Sequence, residues 1–130
     1  DMNDDGKTDL VFASGQGDNM YLLTSNGGGN FKEPIIFSGG GGPFAQTTGH
    51  FNPDKLKDVA VANSRSSSFS IIIRNPNGTF KFPTRDYVVD GGTPLAITSG
   101  DYNHSGMSDI VVASNAKNTI EIYLQRRVFK

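Results

Sequence analysis

The chain has no cysteine among its 130 residues, so it can form neither a disulfide nor a thiolate metal site. It also lacks any apolar run of about 18 residues, the length that crosses a bilayer as a helix, and it reads as soluble, with no membrane insertion. An excess of positive charge is missing. The 12 Lys and Arg stand against 13 Asp and Glu, the formal net charge is −1, and the basic residues are scattered. That excludes the electrostatic footprint of a nucleic-acid binder. Histidine is scarce: His50 and His104 both fall inside acidic stretches, without the base and orienting acid that a Ser-His-Asp triad needs. Nowhere does a 3.6-residue apolar period persist over three turns, so no helix longer than one turn is expected.

What the chain does have is glycine, 16 residues of it, and a pattern that recurs. Asp9, Asp58 and Asp109 match at spacings of 49 and 51 residues, as do Asn3, Asn52 and Asn103. The same offsets align Met20, Leu22 and Thr24 with Phe69, Ile71 and Ile73 and with Ile120, Ile122 and Leu124. Each unit reads as four short strands. The first, such as Pro94 to Gly100, enters an acidic loop and the second, such as Asp109 to Ser114, leaves it. The third alternates with period 2, Ile120, Ile122 and Leu124 facing one way and Glu121 and Tyr123 the other. A turn carrying Asn26-Gly27 or Asn77-Gly78 follows, then a fourth strand after Phe31 or Phe80.

Four antiparallel strands repeated about every 50 residues predict an all-β fold of β-propeller blades. The units are residues 1–49, without a first strand, 50–100, and 101–130, cut short. About 2.6 units fall below the 4 to 8 blades of a propeller. The chain is therefore expected to be a window on a longer array, or part of a ring closed by several copies.

The string D-x-N-x-D-G-x-x-D, the valine-rich strand after it, N-G-x-F-x-x-P and G-G-x-P-x-A-x-x-x-G together resemble the FG-GAP/VCBS repeat of integrin α-subunit propellers and many secreted proteins. The resemblance covers essentially the whole chain. It implies a non-catalytic, extracellular or secreted scaffold for binding or adhesion, with a calcium loop between the first two strands of each blade. It also implies that a protein or glycan partner docks on the opposite face, where Arg65 and Lys117 are candidates. A lectin-like propeller and an accessory domain of a larger secreted enzyme are the alternatives.

The loops have the chemistry for such an ion. Calcium takes 6 to 8 oxygen ligands in a flexible geometry, and side-chain oxygens at alternate positions can converge on one point. The first loop offers Asp1, Asn3, Asp5, the carbonyl of Lys7, and Asp9. The second offers Asn52, Asp54, the carbonyl of Leu56, and Asp58, with His50 where the leading Asp should stand and Pro53 stiffening the turn. The third offers Asp101, Asn103, Ser105, the carbonyl of Met107, and Asp109. An EF-hand is excluded, because it needs flanking helices and a Glu at the twelfth position, here Phe12 in a strand. Carboxylate count ranks the first loop highest, but the third has strands on both sides and is expected to be the better formed. The competing reading is that these residues make metal-free Asx-turns.

Overall fold

The computed structural model describes residues 1–126, and the third unit's last four residues lie outside the described residues. The architecture is all-β. β1 (Leu10–Ser14), β2 (Asn19–Leu23) and β5 (Ile35–Ser38) make a first antiparallel sheet in the order β1-β2-β5, and β3 (Ser25–Gly27) and β4 (Asn30–Phe31) form a small ribbon beside it. The second sheet is complete. It runs β6 (Pro43–Gly49), β7 (Asp58–Asn63), β8 (Ser68–Ile72) and β9 (Arg85–Val88), each strand paired to the next. β10 (Pro94–Gly100), β11 (Asp109–Ser114) and β12 (Thr119–Tyr123) make the third.

Why these stretches are strands follows from their residues. Valine, isoleucine and phenylalanine recur in the long strands, and Gly27 and Gly78 take the positive φ of the turns that follow β2 and β8. Side chains alternate across each strand, so the middle sheet buries both faces and all six residues of β7 are buried. Val59, Val61 and Ile72 pack against Met20, Leu22 and Phe37 of the first sheet, and Phe80 completes that cluster by stacking on Phe37. Ala60, Ala62 and Phe69, on the opposite face, pack with Ile73 against Ile110 and Val112 of the third sheet. Tyr123 adds an edge-on contact to Phe69.

Among the described residues no sheet closure into a propeller forms. Three sheets are too few to bring the first back against the last. The recurring aromatics also divide. Phe69 and Phe80 are core, as the repeat spacing suggests, whereas Phe31 and Tyr87 are exposed, Tyr87 lying stacked on Phe69 of its own sheet. On β12 the alternation is as expected, but Ile120 and Ile122 point outward and are 72% and 62% exposed.

Candidate metal centre

Each acidic loop joins the first long strand of a sheet to the second, or leads into β1 in the opening unit. The backbone of the first and third loops is alike. Asp4 and Gly6 are in the left-handed region, and so are His104 and Gly106 at the matching positions. The leading carboxylate closes both turns the same way. Asp1 accepts from the N–H groups of Asp5 (3.2 Å) and Gly6 (2.7 Å), and Asp101 accepts from those of Ser105 and Gly106 (both 2.9 Å). Asn3 and Asn103 accept through Oδ1 from residues 5 and 105. Asp5 accepts from the N–H of Lys7 at 2.9 Å, and the Ser105 hydroxyl faces both the N–H and the carbonyl of Met107. Although no strand precedes it among these elements, the first loop closes as fully as the third.

The second loop departs from this geometry for a reason written in its sequence. Pro53 stands where Asp4 and His104 are left-handed, and its ring fixes φ at about −65°. The left-handed residue at the glycine position is Lys55, at φ 66°. Asn52 and Asp54 keep their turn bonds, with Asp54 accepting from Leu56 N–H at 2.9 Å. His50, however, donates from Nδ1 to the Leu56 carbonyl at 3.1 Å. A neutral or cationic N–H thus sits on the one backbone oxygen that this loop would offer an ion.

The closing aspartates do something that sequence reasoning missed. Asp58 is fully buried and accepts from the N–H of Phe51 (3.0 Å) and of Arg74 (2.9 Å). Asp109 accepts in the same way from Tyr102 and Gln125, and Asp9 from Met2 and Ser25. Donors and acceptor recur at the repeat spacing. Each carboxylate therefore ties the start of its loop to the chain two residues past β2, β8 or β12, satisfying a backbone donor at each place. The available signal was the recurrence of large side chains after each leading position, at Met2, Phe51 and Tyr102. Among the described residues no group of three or more His, Cys, Asp or Glu side chains forms a metal-holding arrangement.

Electrostatics separate the roles. The Lys7 N–H, with Asn3 and the Lys7 ammonium behind it, holds the Asp5 carboxyl below its usual range, as suits an exposed anion at a turn. Burial pushes Asp58 up, against the pull of the Arg74 and Phe51 N–H groups. On the other side of the molecule, Arg65 is already engaged. Its guanidinium grips both oxygens of Asp18 in the first unit at 2.6 and 2.7 Å. It therefore acts as a clasp between the first and second units. Between the second and third sheets a cavity of about 410 Å³ is lined by Phe69, Tyr87, Tyr123 and Ile122 with Arg85 and Gln125. It holds no Asp or Asn beside its aromatics, the pairing that the sugar-binding alternative requires.

The sequence model of one family, described as an FG-GAP-like repeat, matches residues 1–61 and again residues 50–112. No curated protein matches the chain.

Proposed function

The chain belongs to the FG-GAP-like repeat family of non-catalytic scaffolds, and from that membership we propose that it is an extracellular binding or adhesion module whose first and third loops are stapled by calcium. The observation that carries this reading is the shared geometry of those two loops against the second. Asp1, Asn3 and Asp5 with the Lys7 carbonyl, and Asp101, Asn103 and Ser105 with the Met107 carbonyl, lie over one backbone conformation and form an all-oxygen set suited to a hard cation. Asp9 spends one lone pair of each oxygen on backbone donors, while Asp109 accepts from Tyr102 and Asn103 on one oxygen and from Gln125 on the other, so each keeps lone pairs for the ion, Asp109 fewer than Asp9. In the second loop the His50 N–H takes the cation's place on Leu56, so Asn52, Asp54 and Asp58 hold their turn without metal. The ion's contribution is to neutralise clustered carboxylates and fix the angle between strands. The expected partner is a protein on the face of Lys117, opposite the loops.

Thermal unfolding tests this. A ligand that binds only the folded state raises the melting temperature by mass action. Millimolar calcium should therefore raise it, and Asp5→Ala and Asp101→Ala should each remove part of the shift. An unchanged melting temperature in saturating calcium defeats the proposal.

A further inference from the structure

One motif of the sequence is absorbed neither by the sheets nor by the calcium reading. Asn-x-Ser/Thr, with any residue but proline between, is the acceptor of N-linked glycans, and it occurs as Asn77-Gly78-Thr79 and as Asn103-His104-Ser105. The fold treats the two differently.

Asn77-Gly78-Thr79 lies at the tip of the turn that follows β8. Pro76 leads into it, the Gly78 N–H donates to the Asn75 carbonyl at 3.0 Å, and the Asn75 N–H closes the turn on the Thr79 carbonyl at 2.8 Å. These bonds are local, so the tip forms without a distant partner. Asn77 and Thr79 are both exposed. Asn77 Oδ1 accepts twice, from the Thr79 N–H at 3.1 Å and from the Thr79 hydroxyl at 2.6 Å, and that hydroxyl accepts in turn from the Asn75 side-chain amide at 3.0 Å. Such a relay of donors draws charge onto the amide oxygen and makes an Nδ2 proton easier to lose. Asn77 Nδ2 itself donates to no group among the described residues.

Asn103 has no such freedom. It sits inside the third acidic loop, its Nδ2 is spent on the Gln125 carbonyl at 3.0 Å, and Ser105 turns its hydroxyl to Met107 rather than to Asn103. A glycan on that nitrogen would break the bond that ties the loop to the chain after β12.

We infer that Asn77 is an N-glycosylation site and that Asn103 is not, which rests on the extracellular reading above. In the transfer, Asn77 Nδ2 bonds to C1 of a sugar carried on a lipid pyrophosphate and the C1–O bond to the pyrophosphate breaks. The lipid pyrophosphate leaves, and the proton given up by Nδ2 passes to a base of the transferase. The site stands at the loop end of the middle sheet, where the Arg74 N–H meets Asp58, whereas Lys117 lies in the turn between β11 and β12 at the other end. The glycan therefore leaves the proposed partner face open.

Secretion of the chain from a eukaryotic cell behind a cleavable signal peptide tests this. Peptide-N-glycosidase should lower the mass of the secreted protein and leave an aspartate at position 77 in the tryptic peptide 75–81, with Asn103 recovered unmodified. Asn77→Gln should abolish the mass change, and so should Thr79→Ala, which keeps the asparagine. Both positions are exposed, and circular dichroism checks that each variant keeps the β fold. A bare Asn77 in the secreted, unsubstituted chain overturns the inference. So does an Asn103 occupied as fully as Asn77, or a glycan on Asn77 that survives Thr79→Ala. Because the signal peptide imposes the secretory route, these outcomes bear on the site alone, and the extracellular reading is decided separately by where the natural protein is found.

Discussion

At the scale of single residues the recurring aspartate at the start of each second strand has two demands on it. A loop motif ending in Asp reads as a ligand set, and so the sequence points to metal at Asp9, Asp58 and Asp109. What it cannot display is that both oxygens of each also accept N–H groups from seven residues before and sixteen after. That pairing is long-range and appears only once the sheet has formed. Asp58→Ala leaves the buried N–H groups of Phe51 and Arg74 without partners, and should cost about 2–4 kcal/mol, read as a lower urea midpoint with unchanged slope. The acid response of Asp58 runs opposite to that of Asp18. Burial raises the Asp58 pKa, so the stability it withholds at neutral pH returns as pH falls through its folded value. Asp18 is lowered by the Gly42 N–H and then by Arg65, so its contribution is present above the ordinary value of 3.8 and is lost as pH falls through the lower folded one. Asp18→Asn should therefore lower the melting temperature at pH 7, and the difference from the unsubstituted chain should close in acid below that ordinary value.

At the scale of elements most of the fold was legible. Val/Ile-rich runs with period 2, broken by Asn-Gly turns and acidic loops, placed the long strands within a residue or two of where they lie, because each local signal agreed with the repeat. Less legible was the reason for the glycines that enter each new unit. A Cβ on Gly40 would run into the side chain of Asn63, and one on Gly91 into Ser114 and Thr119, at the matching position one repeat later. Sequence shows these glycines as a loose joint, whereas they are contact points where the incoming chain lies flat on the end of the next sheet's second strand. The N–H of Gly91 donates to Glu121 there as well. Gly91→Ala should cost about 1–3 kcal/mol through overpacking. An alanine at the exposed Gly29, whose φ is positive but whose surroundings are empty, should cost about 1 kcal/mol from backbone strain alone. Urea midpoints of the two variants make the comparison.

At the scale of the whole molecule, repetition is graded, and the calcium proposal rests on that grading. The three loops share one pattern and all close by side-chain-to-backbone hydrogen bonds, but Pro53 and His50 alter the second, while the first and third keep the same two left-handed positions, Asp4 and Gly6 in one and His104 and Gly106 in the other. Composition alone could rank the loops by carboxylate count. It could not show that an imidazole would reach across to a carbonyl, because that depends on where Pro53 sends the chain. The same repetition makes the outer faces read as core in sequence, since Ile120 and Ile122 obey the pattern of Met20 and Leu22 although nothing in the described residues covers them. Binding stoichiometry tests the account most directly. Calorimetric titration with calcium should find two ions per chain, falling to one in Asp101→Ala and rising to three in a double variant that restores the motif, His50→Asp with Pro53→Asp. No binding heat and no calcium-dependent stabilisation, or three ions in the unsubstituted chain, would contradict it.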